Sequence, residues 1–225
     1  MKNVVITGTS RGIGFELAKT FASNNYNVVA LSRNNTTLID EKNITTIPFD
    51  LNNPKDFDKV TNHLKSENID CVDILIHNAG YLVNKSFEEI SQEDFIKTYQ
   101  TNVFGVAQLT QTLLPIMNKD SHVVGISSIG GIQGSMKFPG LAAYSSSKGA
   151  LITLFELLAE EYKERQISFN TLALGAVQTE MLEEAFPGFK APVTPQEIAK
   201  YIYNFAIDGN RYFNGKVLEV SSSTP

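Results

Sequence analysis

The chain has no tryptophan, one cysteine and three histidines among its 225 residues. A lone cysteine, Cys71, excludes an internal disulfide and fits a reducing compartment. It reads more readily as a small apolar residue than as a nucleophile. His63, His77 and His122 show no ligand spacing, so no metal motif is present. Basic charge is also scarce. The 19 Lys and Arg against 24 Asp and Glu leave a net charge of −5, the opposite of what a general nucleic-acid binder carries. No run approaches the roughly 18 apolar residues of a membrane span. The stretch "TGTSRG" arrives too early for a signal-peptide core. The expectation is a cytoplasmic protein with no metal and no nucleic-acid or membrane partner. An apolar content of 42% suffices for a substantial core, and the length fits one domain over residues 1–225.

Short β-branched runs alternate with helical stretches from end to end. "NVVIT", "NVVAL", "ITTIPF", "VDILIH", "HVVGIS", "ISFNTLAL" and "KVLEV" read as strands, several of them nearly continuous apolar runs. Parallel strands covered on both faces look like that. The helix candidates are Gly12–Asn24, Pro54–Glu67, Ser91–Met117 with a break near Asn102, Ala142–Arg165 and Pro195–Asp208. Such alternation implies right-handed βαβ units in a doubly wound parallel sheet of about seven strands, with helices on both faces. Residues 130–141 and 177–194 read as loops, each just past a strand's carboxyl end, where open α/β sheets bind ligands.

"NVVITGTSRGIGFELAK" joins a strand to a helix through a glycine-rich turn. Gly8, Gly12 and Gly14 let the backbone turn tightly and approach a ligand, and the free amides of a helix start attract an anion. No Lys-Ser/Thr pair follows the second glycine, so this is not a Walker loop. A dinucleotide site and a plain tight turn both remain open. The second strand adds a sign. NAD sites usually place a carboxylate about 20 residues on, for the ribose hydroxyls, but "VVALSRNN" ends in Ser32 and Arg33. Arg11 adds a second cation inside the turn. Unless both are merely solvated, they favour a 2′-phosphate, and so NADP(H) over NAD(H).

"YSSSKGALITLFELLAEEY" stacks a phenol, Tyr144, and an ammonium, Lys148, one helical turn apart. Behind them Ala150–Ala159 is apolar on nearly every side, the mark of a buried helix. In order along nearly the whole chain, these segments resemble the short-chain dehydrogenase/reductase family. "TGTSRGIG" is similar to its cofactor loop, "FDL" to the segment that approaches the adenine, and "HNAG" to its N-N-A-G. "TNVFG", "GISSIGG", "YSSSK" and "LGAVQTEM" resemble the segments that hold the catalytic residues and the nicotinamide. The resemblance implies a Rossmann-like fold and an NADP(H)-dependent dehydrogenase/reductase. Its cofactor would be held by Gly8, Ser10, Arg11, Gly12, Ile13 and Gly14, by Ser32, Arg33, Asp50 and Leu51, and by Asn78, Ala79 and Gly80. Gly175, Val177 and Thr179 would complete that site with Tyr144 and Lys148. The catalytic set would be Ser128 (rather than Ser127), Tyr144, Lys148 and Asn102. Three departures stand out. Leu174 replaces the usual proline, His77 replaces the first asparagine of N-N-A-G, and the Ser128–Tyr144 spacing is longer than usual.

Reducing a carbonyl needs a hydride on carbon and a proton on oxygen, and the cofactor brings the hydride. A phenol's reference pKa is about 10, and a nearby cation favours the phenolate and lowers that value. Tyr144 is therefore assigned as the general acid of reduction. Lys148 would lower its pKa, and Ser128 would hydrogen-bond the substrate oxygen. The resemblance adds that Lys148 holds the nicotinamide ribose and that Asn102 holds a water that relays protons from Lys148. A serine hydrolase would want G-x-S-x-G and a later histidine, but the spacing is wrong and His122 is the last histidine. The remaining rival is a catalytically silent NADP-binding regulator or redox sensor on the same fold. Ile132, Met136, Phe138, Met181, Leu182, Phe186 and Phe189 would give the substrate pocket apolar walls, suited to a ketone, aldehyde or 3-oxoacyl group. The apolar helix after Tyr144 has a face the sheet does not need, which points to a homodimer or homotetramer.

Overall fold

The fold follows from strands that are apolar on both sides. In the computed structural model, which describes residues 1–221, β1 (Asn3–Thr7) sends Val4 and Ile6 into one cluster and Val5 into the other. Strands β2 (Asn27–Ser32), β3 (Ile44–Pro48), β4 (Ile74–His77), β5 (His122–Ser128), β6 (Ser168–Leu174) and β7 (Val217–Val220) join it in one parallel sheet. Its order is β3-β2-β1-β4-β5-β6-β7. Helices α1 (Gly12–Ser23) and α7 (Pro195–Asp208) cover one face through Leu17, Phe21, Ile198, Ile202 and Phe205. On the other face lie α2 (Pro54–Ser66), α4 (Gly105–Leu113) and α5 (Ala142–Glu161), packed through Phe57, Val60, Val106, Leu109, Leu151 and Phe155. From β1 the chain runs out through β2 to β3, then crosses back to β4 on the other side of β1, and a crevice opens at the carboxyl ends where the order reverses.

Local chemistry sets the helix starts. Asn53 caps α2 with Pro54 at the first position, and Thr194 forms a capping box with Glu197 before α7. Ser91 and Asp94 form another at α3 (Gln92–Tyr99). The break expected near Asn102 is a turn of π-helix over Gln100–Phe104, which separates α3 from α4. Such bulges are frequent at functional sites. One expectation fails: residues 177–194 are not all loop, because they contain the short helix α6 (Glu180–Ala185). Thr179 caps it through the Leu182 amide. The loop is also pinched at its base, where Val177 bridges to Val193 and the Gln178 amide donates to the Val193 carbonyl at 2.8 Å.

Candidate active site

A cleft of about 480 Å³ runs along the carboxyl ends of the strands. Every expected cofactor-binding and catalytic residue lines it except Gly14 and Asn102. Among the described residues, no group of three or more His, Cys, Asp or Glu could hold a metal. No helix there is long and apolar enough to cross a membrane.

The glycine turn is shaped for a close-lying anion. Gly8 has φ +75°, and a Cβ on it would meet the Ala79 backbone at 2.8 Å. A Cβ on Gly14 would lie 2.2 Å from the Gly8 carbonyl oxygen, so this turn requires glycine at both positions. Asn78 locks the turn to β4, donating from Nδ2 to the carbonyls of Thr7 (3.0 Å) and Gly8 (3.2 Å). The Thr7 hydroxyl in turn accepts from the Asn78 and Ala79 amides. After β3, Asp50 accepts from Asn52, and its own amide is held by the buried Asp56 carboxylate at 2.8 Å.

At the other end stand Ser128, Tyr144 and Lys148. The two serines at the end of β5 divide the work. Both border the cleft, but Ser127 is buried with its hydroxyl committed to the Lys148 carbonyl at 3.0 Å, while Ser128 is only partly buried. A short turn after β5, Ile129–Gly131, presses so closely on α5 that a Cβ on Gly131 would meet the Lys148 carbonyl carbon at 2.8 Å. This contact fixes Ser128 against the helix that carries Tyr144 and Lys148. The Lys148 ammonium donates to the Ile126 carbonyl at 2.7 Å and lies 5.7 Å from the Tyr144 ring centroid.

The electrostatics differ from the sequence expectation. Burial pushes Tyr144 up to about 12 and Lys148 down to about 8. The expected lowering of Tyr144 does not occur in the protein alone, because desolvation outweighs the lysine. Tyr144 therefore holds its proton at neutral pH, as a donor must. Asn102 also differs in detail. Its Oδ1 accepts from the Tyr81 amide (2.8 Å), and its Nδ2 donates to the Tyr81 carbonyl and to Ser147 Oγ (both 2.9 Å). Both amide hydrogens are thus committed to Tyr81 and Ser147. His77 is buried and bonded to Thr110, away from the cleft surface, which suits a structural residue.

The two arginines part company. The exposed Arg33 lines the cleft, and its guanidinium has no ion pair or hydrogen bond among the described residues. Arg11 lines the cleft but forks onto Glu184 of α6, with Nη1–Oε1 at 2.5 Å and Nη2–Oε2 at 3.1 Å. Of the expected substrate walls, Phe138, Met181, Leu182, Phe186 and Phe189 line the cleft, whereas Ile132 and Met136 do not. Met136 is half-exposed, because Ser135 and Lys137 fold back on the Ile132 carbonyl and turn the loop outward. Leu82, Ile129 and Leu141 take those places. They belong to three separate segments, so periodicity in one stretch could not flag them.

A nucleotide-sized cleft at a sheet switch point, floored by a glycine turn and walled by a Ser, Tyr, Lys group, defines a dinucleotide-dependent oxidoreductase. The short chain dehydrogenase family model matches residues 2–188. The chain belongs to this family, whose enzymes act on CH–OH and C=O groups. It is 29% identical to the 3-oxoacyl-[acyl-carrier-protein] reductase of Escherichia coli, over 98% of this chain and 96% of that one. It is 30% identical to the fatty acyl-CoA reductase of Acinetobacter baylyi, over 89% of this chain and 67% of the relative. Among solved structures, 4-hydroxyisoleucine dehydrogenase complexed with NADH superimposes with a TM-score of 0.87 at 26% identity, covering 98% and 97% of the two chains. ElxO with NADP bound gives 0.85 at 29% identity, covering 97% and 96%. Similar structures thus carry either nicotinamide cofactor.

Proposed function

We propose that the protein is an NADP(H)-preferring carbonyl reductase or alcohol dehydrogenase. The observation that carries this is Ser128, Tyr144 and Lys148 lining one apolar cleft, with the hydroxyl of neighbouring Ser127 committed to the Lys148 carbonyl. The residues fit a dinucleotide, since Gly8 and Gly12 of the turn line the cleft and α1 starts beside them. When bound, the nicotinamide supplies the hydride. Ser128 orients the substrate oxygen and stabilises charge developing on it. Tyr144 gives its proton to that oxygen, Lys148 steadies the resulting phenolate, and Asn102 holds a water that links Lys148 to solvent as a proton relay. The N-terminal part of the single domain would bind cofactor, and the C-terminal part would supply the catalytic and substrate-binding residues. The lone cysteine supports work in a reducing cytoplasm.

The substrate wall of Phe138, Leu141, Met181, Leu182, Phe186 and Phe189 is apolar and aromatic, which favours a lipophilic ketone, aldehyde or 3-oxoacyl group. A panel of such carbonyls, followed by NADPH absorbance, tests the assignment. Turnover of none of them, with tight NADPH binding retained, would overturn it in favour of a silent cofactor-binding protein.

NADP(H) preference rests on Arg33, a free cation at the end of β2, in a place without a carboxylate for the ribose. Arg33→Ala should weaken NADPH at least about tenfold, the loss of one hydrogen bond to a charged group, and leave NADH nearly unchanged. Equal losses for both cofactors in paired titrations would end the assignment.

The assembly proposed is a homodimer or homotetramer pairing through α4 and α5. Leu157 is 63% exposed on α5, with Ile96 (56%) and Phe104 (54%) on the α3 and π-turn elements packed against it. Light scattering at micromolar concentration should show more than a monomer; a monomer would refute the pairing.

A further inference from the structure

The contact between Arg11 and Glu184 joins two parts of the cleft with different duties. Arg11 stands at the start of α1, inside the phosphate-binding turn, and Glu184 lies on α6, in the loop over the substrate end. The fork is bidentate, the strongest form of such a pair. Each partner shifts as the other requires, Arg11 up and Glu184 down, with their mutual hydrogen bond the leading cause. Glu180, one helical turn earlier, also faces the turn: a Cβ on Gly12 would meet its Oε2 at 3.4 Å. A carboxylate thus already sits where Arg11 would otherwise be offered whole to a ligand anion.

We propose that Glu184 is a cofactor-specificity residue, which competes with the 2′-phosphate of NADP(H) for Arg11 and so moderates the preference that Arg33 creates. This rests on the NADP(H) reading above. NADH has no 2′-phosphate and leaves the Arg11–Glu184 pair intact, whereas NADPH must draw Arg11 away from it. A phosphate dianion is also poorly accommodated next to a carboxylate that shares its cation. Because both partners are about half or more exposed, at 49% and 62%, the effect is that of a surface pair and weakens with salt. The same exchange loosens the closed loop, since Glu184 ties α6 to the body of the protein. A second tie comes from Asn84, whose Nδ2 donates to the Ala185 carbonyl at 2.8 Å.

The test is a double-mutant cycle of Glu184→Gln and Arg11→Gln, titrated with NADPH and NADH at low and high salt. Glu184→Gln should tighten NADPH roughly two- to fivefold, the upper end for an exposed pair, leave NADH within error, and lose its effect in the Arg11→Gln background. Weaker NADPH binding in Glu184→Gln would mean that the carboxylate holds Arg11 in place for the phosphate, and would overturn the proposal. Equal tightening of both cofactors, or the same gain in the Arg11→Gln background, would also overturn it, as would no change. If Arg11→Gln alone leaves NADPH unaffected, Arg11 has no phosphate role and the proposal falls with it, while the NADP(H) reading, tested by Arg33→Ala, is left standing.

Discussion

Tyr144→Phe should keep the fold and bind NADPH almost normally while turnover falls by about two orders of magnitude or more, the scale of general acid catalysis. The structure sharpens the reason. Burial raises Tyr144 to about 12, so the wild-type hydroxyl is fully protonated at working pH and ready to donate. The difficulty lies in leaving a buried phenolate behind, and Lys148 is the cation placed to steady it. Burial lowers Lys148 to about 8, so its charge fades as pH rises through that region. Reduction should accordingly slow above about pH 8 in the protein whose Tyr144 is intact. The checks are kcat and KM for the best substrate of the carbonyl panel, with NADPH affinity measured separately. A Tyr144→Phe variant within a few-fold of wild-type kcat would show that the proton comes from elsewhere.

The protein should also lose stability as pH falls from about 6.5 toward 4, before most carboxylates titrate. His122 is buried at the start of β5, and Nδ1–H donates to the Ala206 carbonyl at 3.0 Å. Its Nε2 is then the acceptor for Asn170 Nδ2 at 3.0 Å, and Asn170 also binds the Phe213 carbonyl and the Lys216 amide. A second proton on His122 would point at a donor. His77 is similar: the Thr110 hydroxyl donates to the Val106 carbonyl, so His77 Nε2 donates to Thr110 and Nδ1 stays bare and buried. Desolvation leads both shifts, to about 4 for His122 and about 3 for His77, against an ordinary 6.5. Between those values the unfolded chain binds more protons than the folded one, so stability is complete above pH 6.5 and is lost on acidification. The loss from His122 is on the order of 3 kcal/mol. Urea midpoints at pH 7, 6 and 5 measure it, and His122→Gln should flatten the slope. A wild-type midpoint constant between pH 7 and 5 would contradict the assignment.

The layering and the strand order's logic were legible because strands apolar on both faces can only be sandwiched between helices. Tyr144, Lys148 and the glycine turn were legible because their chemistry is local in sequence. The π-turn at Asn102 showed as a break, though not as a bulge, since a helical pattern with one extra residue looks like a pattern interrupted. Helix α6 was missed for a different reason. It is six residues long and none of them is fully buried, so it carries no buried periodicity. Only the threonine cap and the acidic first turn, Thr179 with Glu180 and Glu183, announced it. The partner of Arg11 lies 173 residues away and could not be read from either segment. The pKa of Tyr144 depended on burial, which a sequence does not state.

The Val177–Val193 bridge has a consequence for the protein's history as well as its shape. A segment tied off at both ends against the sheet can change in length or composition without pulling on the strands, since the entropy of closing a loop grows only slowly with its length. Residues beyond Thr179 therefore form an exchangeable cassette, in which selection for a new substrate can act, with Glu184 as the one position that must be kept if the contact to Arg11 is to survive. Grafting the corresponding loop of a relative between Thr179 and Val193, with Glu184 retained, is the engineering counterpart, a change of diet without a change of skeleton.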